Sequence, residues 1–314
     1  MTVENNGLKI SGHDCPRHMA VVGMFDGVHL GHRFLIGLLK DEAMSRGLRP
    51  MAVTFTNHPL EVIAPQKAPL LLTDAPRKES LLREEGVMPV MLPFDSRLRD
   101  TGAADFLLML KSRYGVEALM LGFNNRFGHD APRDFDTYRT LGRQCGVDIV
   151  LAPEFRCQGE KISSSAVREA VSQGDMTRAA AMLGRLYSVT GPIVHGHRLG
   201  RTIGFPTANV AAGNRILLPA SGVYAAVATR ENGEPLAAMV NIGRRPTVEN
   251  EASAPVSVEA NLLGFSGDIY GEQLQLEFVA RMRSERRFHS LEALKTQLEA
   301  DRREAAEIVA AMRG

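Results

Sequence analysis

Cysteine is scarce: the 314 residues hold three, Cys15, Cys145 and Cys157. An odd number without CxxC spacing excludes both a disulfide framework and a zinc site built on thiolates. Free thiols in turn predict a reducing, cytoplasmic setting. An excess of charge of one sign is also missing, since 37 Lys and Arg against 36 Asp and Glu leave +1. That balance excludes an extended nucleic-acid surface, which needs a positive field to displace counterions, but leaves room for a small basic nucleotide pocket. No apolar run approaches the ~20 residues that a membrane span requires. The first residues lack the basic-then-apolar pattern of a signal peptide. Repeats and low-complexity tracts are absent. With 44% hydrophobic and 23% charged residues, the composition is that of a globular chain long enough for two domains.

The first half alternates short apolar runs with helical patterns. Met19–Phe25, Pro50–Phe55, Val87–Leu92, Val116–Leu121 and Val147–Leu151 have the length of buried strands. Between them, His32–Arg46, Arg77–Glu85, Ala103–Tyr114 and Phe135–Cys145 carry helical spacing, each followed by a glycine suited to a left-handed cap. Strand and helix in regular succession predict a Rossmann-like parallel sheet covered by helices. After about Gly184 the pattern becomes antiparallel. Gln273–Arg283 places Leu274, Leu276, Phe278, Ala280 and Met282 on one face. Ser188–Val194, Val223–Arg230, Pro235–Ile242 and Val256–Leu263 are further strands, together suggesting a small β-barrel. The charged, helically periodic tail Leu291–Met312 should pack against it. The expected division is an α/β domain over residues 1–183 and a barrel with a terminal helix over 184–314.

The most informative segment of the α/β half is Gly23-Met24-Phe25-Asp26-Gly27-Val28-His29-Leu30-Gly31-His32. It lies where the first strand gives way to a helix, the position at which open α/β sheets bind ligands. Glycines at 23, 27 and 31 permit close backbone approach, and a helix N-terminus attracts phosphate. His29 and His32 are spaced to face the same phosphates and to stabilise charge developing in nucleotidyl transfer. The stretch resembles the HxGH signature of nucleotidyltransferases. With Phe25-Asp26-Gly27 it is similar to the FMN adenylyltransferase half of the bacterial bifunctional riboflavin kinase/FMN adenylyltransferase (FAD synthetase) family. Thr54-Phe55-Thr56-Asn57-His58-Pro59, Gly122-Phe123-Asn124-Asn125-Arg126-Phe127-Gly128 and Ile162-Ser163-Ser164-Ser165-Ala166-Val167-Arg168 extend the resemblance. It implies nucleotide binding by Gly23, Phe25, Asp26, Gly27, His29, Gly31, His32, Asn124, Ser163, Ser164 and Arg168, and flavin binding by His58 and Pro59. The chain departs from the family pattern at Asn57, where Pro is usual, and at Asn125, where an aromatic residue is common.

In the second half, Gly196-His197-Arg198-Leu199-Gly200-Arg201-Thr202-Ile203-Gly204-Phe205-Pro206-Thr207-Ala208-Asn209 forms a glycine-rich loop able to wrap phosphates. It is not a Walker motif. Thr207 and Asn209 offer the hard oxygens that Mg²⁺ prefers. The segment resembles the riboflavin kinase signature of the same family, and the resemblance continues in order through Asn241-Ile242-Gly243-Arg244-Arg245, Glu259 and Arg281-Met282-Arg283. It implies nucleotide binding by Gly196, Gly200, Arg201, Gly204, Pro206, Thr207 and Asn209, with Mg²⁺ at Thr207 and Asn209. It further implies flavin contacts from Asn241, Gly243, Arg245 and Arg283, and a catalytic base in Glu259. Gly264 departs from a common Asp.

The expected activity is twofold: ATP phosphorylates riboflavin to FMN in the C-terminal half, then adenylylates FMN to FAD in the N-terminal half. Expected ligands are riboflavin, FMN, FAD, ATP and Mg²⁺, with no nucleic acid and no membrane. HxGH alone also permits another phosphate-bearing acceptor, and a flavin-binding module without turnover would retain many of the same motifs.

Overall fold

The computed structural model describes residues 16–123, 125–131, 134–155, 162–196, 203–231, 233–244 and 256–313. They form two compact units. One comprises Met1–Phe25, Gly31–Pro69 and Ala75–Arg156; the other comprises Asp26–Leu30, Leu70–Asp74 and Cys157–Gly314. The second unit is therefore discontinuous, taking two short stretches from the first half of the sequence.

The first unit is a parallel sheet of β1 (His18–Val22), β2 (Arg49–Phe55), β3 (Met88–Leu92), β4 (Val116–Leu121) and β5 (Asp148–Leu151), in the order β3-β2-β1-β4-β5. The direction of strand addition reverses between β1 and β4, which opens a crevice beyond their carboxyl ends. All five residues of β1 are buried, as a central strand covered on both faces requires. Helices α1 (Leu30–Ser45), α2 (Leu60–Ile63), α3 (Ala75–Glu84), α4 (Ser96–Arg99), α5 (Ala103–Tyr114) and α6 (Phe135–Cys145) connect the strands. Along α5, Ala103, Phe106, Leu107 and Leu110 are buried at helical spacing and join Ala20, Val22, Met51 and Val53 in one core. Asp134 caps α6 by accepting from the Thr137 amide at 2.8 Å. Left-handed glycines at 115 and 146 end α5 and α6. The short α2 and α4 are too brief to leave a periodic signal and were not expected.

The second unit is an antiparallel barrel of β6 (Tyr187–Val194), β7 (Ala208–Val210), β8 (Gly222–Arg230), β9 (Leu236–Arg244), β10 (Val256–Leu262) and β11 (Gln273–Arg283), closed in the order β10-β7-β6-β11-β8-β9. Its interior shares one core with α7 (Ser164–Gln173) and α8 (Met176–Leu183). Leu274, Leu276 and Phe278 are fully buried there, whereas Ala280 and Met282 are not. Register shifts at Phe278/Ala280 and Arg281/Arg283 interrupt the alternation, because a bulge re-aims every later side chain. Met282 consequently packs with the outer cluster beneath α9 (Leu291–Arg313), beside Val223, Ala225, Val227, Ala305 and Val309. That helix explains why β8 is buried along most of its length instead of alternating.

Arg283 ties α9 to the barrel. Its Nε and Nη2 donate to the carboxylate of Asp301 at 3.0, 3.1 and 2.6 Å, and Asp301 is fully buried. Gln297 adds a hydrogen bond to the same carboxylate at 2.6 Å. Removing one partner strands the other's charge, which in buried pairs costs several kcal/mol. Asp301→Ala should therefore lose about 3 kcal/mol of stability, read from the urea midpoint; an unchanged midpoint would show that the pair does not hold the helix.

Candidate functional site

The carboxyl ends of β1, β2 and β4 open onto a cavity of about 570 Å³ lined by Gly23, Met24, Phe55, Pro59, Phe94, Phe106, Asn125, Arg126 and Phe127, among others. Its floor is pinned from below. Lys78, which is 1% exposed, donates through Nζ to the carbonyls of Met24 at 3.2 Å and Phe55 at 2.6 Å. The hydroxyl of Thr54 donates to the Met24 carbonyl at 2.9 Å. Tyr138 clasps Phe127 from both sides, donating to its carbonyl at 2.8 Å and accepting from its amide at 2.9 Å. Burial pushes that phenol upward in pKa. Neither Lys78 nor Tyr138 was found from sequence, since a lysine on a charged helix and a tyrosine on an amphipathic one carry no signal of their own.

The two departures in this half acquire definite partners. Asn57 pairs with Phe94 in both directions, donating to its carbonyl and accepting from its amide at 2.9 Å each. Asn125 donates through Nδ2 to the Val22 carbonyl at the end of β1. His58 Nδ1 accepts from the Leu60 amide at 3.1 Å and so supports the start of α2, while Pro59 lines the cavity. Asn124 lies outside the described residues.

The HxGH segment begins with an unusual backbone. Gly27 has φ 80°, and the non-glycine residues Phe25 and Val28 have φ 49° and 37°. Each such residue costs on the order of 1–3 kcal/mol and persists only where surroundings enforce it. Within the second unit the enforcement centres on Asp26, which is 1% exposed. Its carboxylate accepts from the Leu72 amide at 3.0 Å, the Thr73 amide at 3.1 Å, the Thr73 hydroxyl at 3.3 Å and Arg168 Nη2 at 2.5 Å. The Asp26 carbonyl accepts from the Ser164 hydroxyl at 2.9 Å, and the Gly27 amide donates to the Thr73 hydroxyl at 3.2 Å. Arg168 Nε reaches the Leu70 carbonyl at 2.8 Å. Ser163 caps α7, accepting from the Ala166 amide at 3.3 Å. Asp26, Ser164 and Arg168 are thus brought together, although as a bracket around the turn.

His29 directly precedes α1 and is buried; Gly31 and His32 lie in the first helical turn. The Phe25 ring stands edge-on to the His32 ring, with centroids 5.1 Å apart, and covers the backbone of Gly23. Burial lowers the pKa of His29 from 6.5 to about 4, opposed by a hydrogen bond with its own backbone and assisted by the charges of Arg185 and Arg168. The ring is therefore neutral at physiological pH, a hydrogen-bond donor that carries no charge.

The barrel holds a second constellation. Glu259 on β10 has Asn209 of β7 and Asn241 of β9 as its register partners, so three polar side chains form one row across three strands. A cavity of about 260 Å³ is lined by Glu259, Asn241, Thr207 and Arg283 together with Phe205, Val223, Met239 and Phe288. Another of about 590 Å³ is lined by Pro206, Thr207, Ala208 and the Phe265–Tyr270 loop. Thr207 belongs to both walls. Its position is set by its neighbours: Asn261 Nδ2 donates to the Pro206 carbonyl at 2.7 Å, and Phe205 is buried in the cluster under α9. A Cβ on Gly196 would fall 2.2 Å from Asn209 Nδ2, so glycine there lets the asparagine lie flat against the backbone. Gly204 lies in the turn before Phe205. Gly243, on β9, is held close to the Glu285 carboxylate. Gly264 sits in a left-handed turn with open space on its Cβ side. Gly200, Arg201 and Arg245 lie outside the described residues.

Comparison with known proteins assigns the two halves of the chain to two families. The FAD synthetase family matches residues 13–166 and the riboflavin kinase family residues 183–309. The bifunctional riboflavin kinase/FMN adenylyltransferase of Escherichia coli K12 is 39% identical over 288 residues, covering 91% of each chain. That of Bacillus subtilis is 34% identical over 292 residues, covering 92% of each. A solved structure from Streptococcus pneumoniae, described as a macrolide-efflux protein, superposes with TM-score 0.82 at 28% identity over 93% of this chain and 94% of its own. Among the described residues here, no helix is long and apolar enough to cross a membrane.

The lowered pKa of His29 has a consequence for stability. The folded state binds this proton less tightly than the unfolded chain, so stability is fully present above about pH 6.5 and is lost as pH falls toward 4. The whole shift corresponds to about 3 kcal/mol. His29→Gln should therefore lose distinctly less stability than the wild type between about pH 7 and about pH 4.5 in urea titrations; equal losses would place the acid sensitivity elsewhere.

Proposed function

The chain belongs to the bifunctional riboflavin kinase/FMN adenylyltransferase family, and from that premise we propose which of its residues carry out each reaction. It is a bifunctional enzyme of FAD biosynthesis, with a C-terminal riboflavin kinase and an N-terminal FAD synthetase. We assign the two functions to residues 1–183 and 184–314.

In the kinase half, the row Asn209–Glu259–Asn241 beside a threonine common to two cavities carries the reading. Riboflavin occupies the smaller cavity, its ring against Phe205, Val223, Met239 and Phe288 and its polar edge beside Asn241 and Arg283, with Gly243 and Arg245 as the further flavin contacts that the family resemblance implies. ATP occupies the larger one, beside Pro206 and Thr207, with Gly196, Gly200, Arg201 and Gly204 as the further nucleotide contacts that the family resemblance implies. Glu259 takes the proton of the ribityl hydroxyl as that oxygen bonds to the γ-phosphorus and the bond to ADP breaks. Thr207 and Asn209 offer an alcohol and an amide oxygen. These hard oxygens suit Mg²⁺ taken up together with phosphate, and no cluster of His, Cys, Asp or Glu able to hold a metal alone occurs among the described residues. When bound, the ion spreads the charge that builds on the phosphate oxygens.

In the N-terminal half, the FMN ring occupies the cavity walled by Phe55, Pro59, Phe94, Phe106 and Phe127, with His58 supporting its rim. A phosphate oxygen of FMN bonds to the α-phosphorus of ATP as pyrophosphate leaves. His29 and His32, with the amides at the start of α1, hydrogen-bond the oxygens on which charge develops. Gly23, Phe25, Gly27, Gly31, Asn124 and Ser163 are the further nucleotide contacts that the family resemblance implies, and Asp26, Ser164 and Arg168 fix the phosphate-facing turn. The free-thiol composition favours a cytoplasmic enzyme.

Glu259→Gln should lower riboflavin phosphorylation by at least ~10² while leaving adenylylation of supplied FMN intact, and His29→Ala should do the reverse. Chromatography of products from riboflavin, FMN and Mg-ATP reads both rates; loss of both activities in either folded variant refutes the two-site assignment.

A further inference from the structure

Arg185 follows α8 and immediately precedes the first barrel strand, within the stretch matched by the riboflavin kinase family. Its side chain nonetheless turns to the HxGH segment. Nη2 donates to the Gly27 carbonyl at 2.5 Å, and Nη1 to the Val28 carbonyl at 3.1 Å and the Leu183 carbonyl at 3.4 Å. These are the two carbonyls just before His29, in the stretch where Gly27 and Val28 hold φ of 80° and 37°. A β-branched residue at such a φ is an outlier that needs an external hold.

We infer that Arg185 is a positioning residue for adenylyl transfer: it locks the Gly27–His29 backbone so that the amides and imidazole following it face the nucleotide phosphates. This inference rests on the assignment of the His29 turn to FMN adenylylation. The physical reason is peptide planarity. In a trans peptide the C=O and N–H point in opposite directions, and the described chain contains no cis peptide. Drawing the Gly27 and Val28 carbonyls toward one guanidinium turns the Val28 and His29 amides the other way, as successive donors of the kind that bind anions. Asp26, held by Arg168 and the Leu72 and Thr73 amides, fixes the preceding peptide. The two arginines thus grip opposite ends of a four-residue arc. A planar fork suits this task better than an ammonium, because it spans two acceptors with fixed separation. Arg185 also places a positive charge near His29, adding to the effect of burial in keeping that ring neutral.

Arg185 bonds the Gly27, Val28 and Leu183 carbonyls, whereas Thr207, Asn241 and Glu259 line the barrel cavity, so the two activities should separate. The test uses the full-length enzyme and the Arg185→Met, Arg185→Lys and His29→Ala variants, measuring pyrophosphate release with FMN and FMN formation from riboflavin. Arg185→Met should lower kcat for adenylylation roughly 10- to 100-fold, the scale of a misplaced catalytic group, with KM for FMN within about twofold. Its riboflavin kinase rate should stay at the wild-type level. Arg185→Lys, which keeps the charge without the fork, should recover part of the lost rate. In NMR titrations of ¹³C-labelled histidine, the His29 ring should protonate at higher pH in Arg185→Met than in the wild type and stay near the wild-type value in Arg185→Lys.

A parallel fall of both activities in Arg185→Met would make the arginine a general stabiliser and overturn the inference, as would an unchanged adenylylation rate. If Arg185→Met does not fold, the same pair of rates in Arg185→Lys decides. If His29→Ala keeps full adenylylation, the site assignment itself falls; if His29→Ala is inactive while the Arg185 variants are unaffected, only the role of Arg185 falls.

Discussion

A carboxylate sealed from water organises the turn that precedes His29. Asp26 lies at 1% exposure, surrounded by two amides, a hydroxyl and a guanidinium. A polar group left without partners at that depth would be costly, and these four contacts offset that cost. Once the turn is held, the strained dihedrals of Phe25 and Val28 follow. In the same stretch, burial keeps His29 neutral. The histidine signature is therefore the visible tip of a network whose other members lie more than forty residues away in sequence.

The kinase half solves its positioning problem differently, with strand register in place of a charged knot. Hydrogen-bonded pairing places Asn209 and Asn241 on either side of Glu259, and a closed barrel allows no slippage that would move one without the others. The remaining freedom lies in the Phe205–Pro206–Thr207 approach, which is fixed by burial of the phenyl ring under α9 and by Asn261. Since α9 is tethered through Arg283 and Asp301, the terminal helix contributes to placing Thr207 through the apolar cluster that buries Phe205.

Much of this was legible in the sequence where the physics is local. Ala103–Tyr114, Phe135–Cys145, Val116–Leu121 and Gln273–Arg283 have the boundaries that periodicity and glycine caps predict. The row through Glu259 lay partly open as well, because period-two alternation put Glu259 apart from Val258 and Ala260. What stayed hidden depends on long-range pairing. Strand β7 is only three residues long and exists because β6 and β10 flank it. The helices α7 and α8 owe their burial to the barrel core. Arg168 reads in sequence as a cation one turn into a helix, the typical look of a phosphate ligand, whereas in space it meets Asp26. Lys78 and Asp301 read as solvated charges and are instead almost wholly buried. Sequence reveals which residues carry charge, and only the fold reveals which charges have been taken out of water.

The pairing of Leu71 with the Arg215–Leu217 stretch, through amide–carbonyl bonds of 2.7 and 2.8 Å, stitches residue 71 to a partner some 145 positions later. Both it and the Asp26 knot belong to the unit completed by Cys157–Gly314. During synthesis the parallel sheet has its strands in hand once β5 emerges, yet the Asp26–Val28 turn gains Arg168 and Arg185 only when the chain beyond β5 has been made. The earliest motif in the chain is thus among the last to gain its hydrogen-bond partners.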